Sequence, residues 1–520
     1  MKRRKFLQST ATAVGLPVVL NGMGVSAVRK SQLFNFLNTD NDKVLVLIQL
    51  SGGNDGLATV LPLDQYSNLA AARSNILIPE SSALLLDDMT GLHPAMTGMK
   101  GLYDDAKLAI LQAVGYPNQN RSHFRSTDIW TTASPAEEFW TTGWLGRHLD
   151  VDHPDFPTGY PNEDDPDPLA ITMGTLVSQT CQGIAANYSL ALEDPFNLSP
   201  LTQGGDDEVP DTYYGDELTF LRQTISQTNA YSEVITTAAE NGNNLAAYPG
   251  DNRLAQQLKN VALLISGGLQ TKIYVVTLGG FDTHANQTED GAPLEGDHAN
   301  LLRTLSDAVA AFQEDLKLLD LQERVVGMTF SEFGRRIRSN DSFGTDHGTA
   351  APLMVFGSCV NPGILGTNPE IPDEVDVQLG VPMQYDFRNV YGSILMDWFE
   401  LEQSVVQQLL FDDFAYIPIV NGCATTATTD LEPPATELGL QVYPNPLRRH
   451  ATIEFNCAKE RVRLSLFDSL GHEVKVLFDK TLTAGKHQVA LDAKGLSSGT
   501  YFCRLQLTAG RQEVARVVVH

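Results

Sequence analysis

The sequence predicts an α/β core, in which a mostly parallel sheet lies between helices, followed by a small all-β sandwich. Near-continuous apolar runs indicate the sheet, because such runs suit strands that are buried on both faces. They occupy residues 44–50, 108–114, 273–278, 325–330 and 352–356. After Val442 the pattern changes to short alternating runs separated by turn residues, which is typical of a β-sandwich.

Helices are predicted between these strands. Residues 93–103 repeat large apolar side chains at helical spacing, as a crossover helix between two strands of a βαβ unit would. A second amphipathic pattern covers residues 301–316. The acidic, proline-rich stretch 150–216 is interpreted as an excursion over the top of the sheet.

We predict four segments within the 520 residues. They are a signal peptide (1–27), the α/β core (41–421), a linker (422–437) and the C-terminal sandwich (438–520). The linker is predicted because its residues are small, polar and proline-bearing.

The first 27 residues indicate export. A basic start, a short apolar segment and small residues near Ala27 are typical of a signal peptide. Arg3-Arg4 followed by Phe6-Leu7 resembles the twin-arginine signal, which would make the twin-arginine translocase a partner. The alternative is an ordinary secretory signal whose basic region holds two arginines. No other stretch is long and apolar enough to predict a transmembrane segment.

Charge and cysteine content exclude some functions. A net charge of −27 argues against nucleic acid or anionic membrane as a partner, because both need a basic face. Five cysteines do not make a disulfide framework in a chain of this length. Cys457 and Cys503 could bridge two strands of the sandwich, although spacing alone does not establish that bond.

Polar motifs gather around the predicted strand ends, at residues 51–56, 121–124, 279–284, 331–335 and 345–348. Ligands of open α/β sheets bind beyond the carboxyl ends of the strands, so chemistry is expected in these loops. Their carboxylates and imidazoles suit a divalent metal, which would be zinc, manganese or calcium. The candidate ligands are Asp55, His123, Asp282, His284, Glu332, Asp346 and His347.

These candidates have alternative interpretations. Asp282 and His284 share a face if the chain is extended and can then hold one ion, but they could also form a hydrogen-bonded turn. Asp55 could belong to an ordinary Asn-Asp-Gly turn, and His298 is a competing imidazole. The other acidic candidates could be ion-pair partners of Arg335, Arg336 or Arg338.

The loop at residues 121–125 holds the candidate catalytic residues. Ser122 is the candidate nucleophile, and Arg121 and Arg125 are candidates to hold an anionic substrate oxygen. The alternative for Ser122 is a helix cap, and the alternative for His123 is a structural hydrogen-bond donor.

The motif order, which ends with Asp-Phe-Arg-Asn-Val at 386–390, resembles a widespread family of twin-arginine-exported bacterial proteins without an assigned function. That family is similar to a branch of the alkaline phosphatase/sulfatase superfamily, which implies an alkaline phosphatase-like fold for the core. By this resemblance Asp55 stands at the place of the first-strand metal aspartate, and Ser122 lies near that of the nucleophile. Asp282 and His284 match the Asp/His pair of one metal site.

The resemblance leaves two placements for the remaining ligands. In one, Asp346 and His347 form the second ligand pair. In the other, which the strand order favours, residues 331–334 hold that place and His347 is the last histidine before the closing strand. Glu332 then replaces an aspartate and Phe333 a histidine. Either placement lacks one superfamily ligand, so His123 would substitute for it or a single ion would bind.

The C-terminal segment resembles the sorting domain of the Bacteroidota type IX secretion system. Its motifs at 443–446, 466–474 and 495–502 appear in the order of that domain. The resemblance implies the type IX machinery as a partner, with export through the periplasm to the cell surface or extracellular space. A carbohydrate-binding or adhesive sandwich is the alternative.

The expected function is therefore that of an exported, metal-dependent hydrolase of phosphate or sulfate esters. The alternative is a non-catalytic surface protein of the same fold that binds a glycan or a protein partner, because a fold does not determine a function.

Overall fold

A computed structural model describes residues 42–198, 228–421 and 423, most of 440–519, and the short paired strands Val18–Leu20 and Met23–Val25. Contacts divide the chain into two units, Met1–Ala424 and Thr425–His520. Apart from the two short strands, the predicted signal peptide lies outside the described residues, as does the predicted linker apart from Cys423.

Nine strands form the central sheet of the first unit. In chain order they are β1 (Val44–Ser51), β2 (Leu108–Gly115), β3 (Ala170–Met173), β4 (Ser189–Leu192), β5 (Ile273–Gly279), β6 (Val325–Phe330), β7 (Ala351–Phe356), β8 (Gly363–Leu365) and β9 (Tyr385–Asp386). Their spatial order is β8-β2-β7-β6-β1-β5-β3-β4, and β9 also pairs with β2. Of these nine strands, β7 alone runs antiparallel to its neighbours. The predicted mostly parallel sheet is therefore confirmed, and all five apolar runs are strands of it.

Helices accompany this sheet. Those of the first unit with both ends described are Gly56–Thr59, Tyr66–Arg73, Thr97–Asp104, His123–Thr132, Trp144–Asp152, Arg253–Ser266, Asp297–Leu318, Phe387–Asp397 and Gln403–Leu409. Residues 228–241 are also helical, and short 3-10 turns occupy Leu63–Gln65, Glu80–Ser82 and Gln179–Cys181. No helix among the described residues is long and apolar enough to cross a membrane.

The helices cover both faces of the sheet, because successive strand side chains point to opposite faces. On one face Val46 belongs to an apolar cluster that includes Arg253–Ser266 and Asp297–Leu318. On the other face Leu47 belongs to a cluster that includes Phe387–Asp397. Burial on both faces explains why the strands are continuous apolar runs.

Two details of the core differ from the prediction. The helix Thr97–Asp104 does connect β1 to β2, but β6 and β7 lie between these strands, so the two are not neighbours. The stretch 150–216 is no mere excursion over the sheet, since β3 and β4 in its described part extend the sheet beyond β5. Its acidic, proline-rich composition hid two strands of only four residues each.

Short strands complete the first unit. Arg335–Ser339 pairs with Thr345–His347 in a hairpin between β6 and β7. A small antiparallel sheet contains Val60–Pro62, Leu84–Leu85 and Thr90–Leu92.

The cysteines pair differently from the proposed bridge. Cys359 is bonded to Cys423, whereas Cys457 and Cys503 are buried and are not joined by a disulfide. The bridge between Cys457 and Cys503 that the sequence left open is therefore not formed in the structure.

The second unit is all β, as predicted, and both of its sheets are antiparallel. One sheet contains Gln441–Tyr443, His450–Cys457 and Gly485–Asp492, and the other contains Glu460–Phe467, Glu473–Leu482, Gly499–Leu507 and Gln512–Val519. Side chains of both sheets, such as Phe455 and Leu464, join one apolar cluster. That shared core makes the unit a β-sandwich.

Candidate functional site

The site lies at the carboxyl ends of three neighbouring strands, β6, β1 and β5. Side chains that follow β6 bind the backbone that follows β1. The amide of Gly52 donates to Oε1 of Glu332 at 2.8 Å, and the amide of Asn54 donates to Oγ of Ser331 at 3.0 Å. These bonds hold the two loops together at the edge where ligands of α/β sheets bind.

Arg335 connects all three loops. Its guanidinium, which is buried, donates to the carbonyls of Gly53, Phe281 and Thr345 at 2.7–2.8 Å, and also to the carbonyl of Gly52. It also donates to Oδ1 of Asp282 at 2.8 Å. The planar guanidinium can satisfy several acceptors at once, so it positions the loop that carries Asp282.

Three histidines surround Asp282. Nε2 of His123, His284 and His347 lies 3.5, 3.2 and 3.1 Å from Oδ1 of Asp282. Nε2 of His284 is also 2.9 Å from Nε2 of His347. We call these four residues the histidine cluster; it joins the predicted motifs that follow β2 and β5 with the one that precedes β7.

Each ring of the histidine cluster is held on its far side. Nδ1 of His123 lies 2.8 Å from Oε1 of Glu332, and Nδ1 of His284 lies 3.0 Å from Oδ1 of Asp346. Nδ1 of His347 lies 2.8 Å from the carbonyl oxygen of Arg121. A bond at Nδ1 leaves Nε2 to face the cluster, which is the usual arrangement of a metal-binding histidine. Glu332 and Asp346 thus lie behind the imidazoles.

The charges of the cluster favour metal-binding protonation states. Burial alone would raise the pKa of Asp282, but hydrogen bonds from Arg335 and His347, with the charges of Arg335 and His284, lower it to about 2. Burial lowers the pKa of His347, although its hydrogen bonds with Asp282 and with the carbonyl of Arg121 offset part of that shift. An ionised carboxylate and a neutral imidazole are the forms that bind a metal ion.

The donor atoms fit a divalent ion. Nε2 of His123, a carboxylate oxygen of Asp282 and Nε2 of His347 all lie within 4.8 Å of one another. Ligand atoms held at about 2.0–2.2 Å around a tetrahedral zinc ion are roughly 3.3 Å apart, close to the separations around Asp282. Nε2 of His123 is moreover buried and has no hydrogen-bond partner among the described residues. A bound cation would supply that partner.

Phe333 closes one side of the cluster. Its ring is 1% exposed, and its centroid lies 4.9 Å from that of His123 and 4.7 Å from that of His347. The ring packs the two imidazoles in place but offers no ligand atom.

Asp55 is separate from the histidine cluster. Its carboxylate, 1% exposed, accepts two hydrogen bonds from Arg73 at 2.7 and 3.0 Å. Nε2 of Gln287 donates to the same carboxylate. Burial alone would raise the pKa of Asp55, but the charge of Arg73 and these hydrogen bonds lower it. The structure therefore places Asp55 in a buried ion pair beneath the site.

The candidate catalytic residues in the loop after β2 differ in how their side chains are bound. Ser122 occupies the N-cap position of His123–Thr132, and its exposed side chain makes no cap hydrogen bond. Arg121 donates to the carbonyl of Gln378 at 2.8 Å. Arg125 forms an ion pair with Asp128 and donates to several carbonyls between residues 135 and 138. Arg125 is thus committed to its own loop.

Sequence reasoning missed two residues of this region. Arg73 ends a helix 18 residues after Asp55, and Gln287 lies in a turn after β5. Neither belongs to a motif at a strand end, so no sequence signal marked them. His298, the competing imidazole, lies outside the cluster and bonds Oδ1 of Asn54 through Nε2 at 3.0 Å.

The C-terminal unit is similar to known sorting domains. Residues 441–520 match the family model described as a secretion system C-terminal sorting domain. That match implies type IX secretion sorting and a protein directed to the cell surface or extracellular space. PorZ, a surface component of the type IX secretion system of Porphyromonas gingivalis, is 23% identical over 16% of this chain and 11% of its own, with a TM-score of 0.13. The chain spans only about a tenth of PorZ and of PorU from the same organism, at 11% and 9%.

Most of the chain is similar to solved structures of the alkaline phosphatase/sulfatase superfamily. A superfamily protein from Vibrio parahaemolyticus is 10% identical, with 93% of this chain and 91% of that chain covered and a TM-score of 0.33. The PsFucS1 sulfatase from Pseudoalteromonas sp. is 9% identical, with coverages of 87% and 84% and a TM-score of 0.31. Similarities at this level concern the fold alone and say nothing about activity, substrate or metal.

The core itself matches a family whose function is not assigned. No curated protein matches this chain. Residues 87–410 match the family model described as "Protein of unknown function (DUF1501)". This range contains every residue of the histidine cluster and extends over more than half of the chain, and the protein therefore belongs to the DUF1501 family.

Proposed function

We propose that this protein is a surface-directed, metal-dependent hydrolase of phosphate or sulfate esters. The observation that carries the proposal is the histidine cluster, in which three imidazole nitrogens meet one ionised carboxylate at the carboxyl end of the sheet. Such a set of nitrogen and oxygen donors suits zinc or manganese better than calcium, which prefers oxygen ligands.

Asp282, His123 and His347 would hold the ion, with His284 as a fourth donor. A divalent ion, when bound, polarises an ester oxygen and lowers the pKa of bound water. Glu332 and Asp346 orient the imidazoles behind it, as outer partners of metal-binding histidines commonly do.

Two arginines beside the cluster support the proposal that the substrate is an anion. Arg121 forms no ion pair with any described carboxylate, and burial followed by the charge of Arg336 lowers its pKa. Arg336 itself pairs with Asp346 at 3.0 Å. Two guanidinium groups close enough to repel each other would be stabilised by a phosphate or sulfate group. Arg336 therefore replaces Arg125 in the proposed anion site.

Ser122 is the proposed nucleophile, with bound water as its alternative. None of the described hydrogen bonds uses the hydroxyl of Ser122, whereas its amide donates to Oδ1 of Asn120 at 2.9 Å. Along the sequence Ser122 lies between Arg121, which would hold the anion, and His123, which would hold the ion. This order places nucleophile, anion site and metal ligand in consecutive residues.

Export in two stages is part of the proposal. The twin-arginine-type signal at residues 1–27 would carry the folded, metal-loaded chain to the periplasm, and the C-terminal unit would then direct it to the surface. The test is a reporter protein fused to residues 1–27. Export of the reporter by the twin-arginine translocase, and loss of that export when Arg3 and Arg4 are both changed to Lys, would support this order.

The decisive test replaces two donors of the cluster. We expect Asp282→Asn and His347→Ala each to lose the bound metal that elemental analysis finds in the wild type. Hydrolysis of para-nitrophenyl phosphate or sulfate should fall by more than the ~10–100-fold that loss of an outer-shell partner costs.

A matched control comes from the same unit. His153→Ala removes a partly buried histidine that pairs with Asp165 at 3.5 Å, much as His347 pairs with Asp282. It should keep both metal and turnover. A wild type without bound metal, or cluster variants that keep full turnover, would contradict the proposed hydrolase.

A binding function without catalysis is the second candidate. Phe333 stands where the resemblance places a histidine ligand, and Arg335 already neutralises Asp282. Both features suit a site that holds an anionic glycan or partner without turnover. Bound metal without hydrolysis of any phosphate or sulfate ester would favour it.

A further inference from the structure

Two carboxylates follow neighbouring strands of the site but have different surroundings. Asp282, after β5, is 48% exposed and faces the histidine cluster. Asp55, after β1, is 1% exposed and faces Arg73. A carboxylate as deeply buried as Asp55 requires a positive partner, because an isolated buried charge is strongly unfavourable.

Arg73 supplies that partner completely. Nη1 contacts both oxygens of Asp55, Nε donates to the carbonyl of Ile337 at 2.8 Å, and Nη2 donates to the carbonyl of Arg336 at 2.7 Å. All three nitrogens are therefore bound by the chain itself, and the side chain is 2% exposed. The guanidinium of Arg73 therefore places a positive charge directly against the carboxylate of Asp55.

The other neighbours of Asp55 are also fixed. Gln287, which donates to Asp55, accepts from the hydroxyls of Thr283 and Thr345 at 3.2 and 2.6 Å. Among the described residues no imidazole nitrogen is bonded to Asp55, since His298 bonds Asn54 instead. Asp55 thus has no neighbouring donor set that would help it hold an ion.

We propose that the guanidinium of Arg73 is a built-in counter-cation, and that the protein consequently binds a single exchangeable divalent ion, at the histidine cluster. The inference rests on the proposed function only for the existence of that ion. It assigns Asp55 and Arg73 to the scaffold of the site, although the resemblance places a metal aspartate at Asp55.

The experiment counts metal ions per full-length chain after saturation with zinc or manganese and gel filtration in metal-free buffer. We expect one ion in the wild type and one in the double variant Asp55→Asn/Arg73→Gln, which removes both charges together. The thermal shift on adding zinc should be the same for these two proteins. Asp282→Asn should retain no ion.

Other outcomes separate the two proposals. Two ions in the wild type, or loss of the ion from a folded double variant, would overturn the built-in counter-cation while leaving a metal site in place. No ion in the wild type and no thermal shift with added metal would overturn both proposals. If the double variant does not fold, the wild-type count decides, with one ion supporting the inference and two refuting it.

Discussion

At the scale of single residues, the hydrogen-bond partner at Nδ1 distinguishes two kinds of histidine. His123 and His284 have a carboxylate at Nδ1 and turn Nε2 toward Asp282. Among the described residues His298 forms no ion pair with a carboxylate, and it donates from a buried position to Asn54. Burial lowers the pKa of His298 to about 4, since the charged ring would lose its hydration there. The first kind is arranged for a ligand and the second for packing.

Acid should destabilise the core through His298. Its folded pKa, about 4, lies below the unfolded value of 6.5, so the unfolded chain binds the proton more readily. The contribution of the neutral, buried His298 to the free energy of unfolding is therefore complete above pH 6.5 and is lost as the pH falls toward 4. Between pH 6 and 5, urea unfolding of His298→Gln should lose ~1 kcal/mol less stability than the wild type does. An identical pH slope in both proteins would contradict this assignment.

Arg335 should be irreplaceable by lysine. An ammonium cannot reach the carbonyls of Gly52, Gly53, Phe281 and Thr345 together. Each buried acceptor left without a donor costs about 1–3 kcal/mol. We expect Arg335→Lys to lower the free energy of unfolding in urea by more than ~2 kcal/mol.

The control for Arg335 is Arg324, whose side chain is 27% exposed whereas that of Arg335 is fully buried. Arg324 pairs with Asp42, whose side chain is 68% exposed, at 2.8 Å. Arg324→Lys should cost less than ~1 kcal/mol, as expected for a surface pair. Equal losses in the two variants would show that Arg335 has no special structural role.

At the scale of elements, the site depends on how closely the loops after β1 and β5 approach. Gly52 has a φ of +125°, and a Cβ there would overlap the backbone nitrogen of Asp282. Glycine at this position therefore permits both the turn and the contact. The loop after β1 thereby supports the histidine cluster although its own carboxylate, Asp55, is paired elsewhere.

Adding one methyl group should test this contact. We expect Gly52→Ala to displace Asp282 and weaken zinc binding at least ~10-fold, measured by titration against a chelator. Gly101→Ala is the control, because Gly101 lies within the helix Thr97–Asp104 and nothing lies within 4 Å of a Cβ there. It should leave zinc affinity unchanged and stabilise the helix by about 0.5–1 kcal/mol. Unchanged affinity in Gly52→Ala would refute the contact argument.

At the scale of the whole molecule, the two units have separate apolar cores. The clusters around the central sheet contain no residue of the second unit, and the sandwich has a cluster of its own. Each unit is therefore expected to unfold by itself.

Metal should stabilise only the first unit. In calorimetry of the full chain, zinc at 100 times its dissociation constant should stabilise one transition by about 2.7 kcal/mol and leave the other unchanged. A chain that ends at residue 424 should show only the metal-sensitive transition. A metal-dependent shift of both transitions would contradict independent units.

The architecture followed from the sequence because its signals are local. Strands buried on both faces must be apolar throughout, and the strands of a sandwich must alternate apolar and polar residues. Both patterns are therefore visible in the amino-acid sequence. Strands β3 and β4 were not predicted because each has only four residues within an acidic stretch. The pairing of Cys359 with Cys423 escaped because it joins distant segments.

The sequence by itself determined the order of the five apolar strands, the two units and the loops in which donors gather, since each depends on neighbours along the chain. Only the tertiary structure decided which donors meet. It brought His123 and His347 to Asp282 and gave Asp55 to Arg73, from a helix without any motif. The reason is physical: a buried carboxylate takes whichever cation the packed fold brings within hydrogen-bonding distance, and linear spacing does not encode that distance.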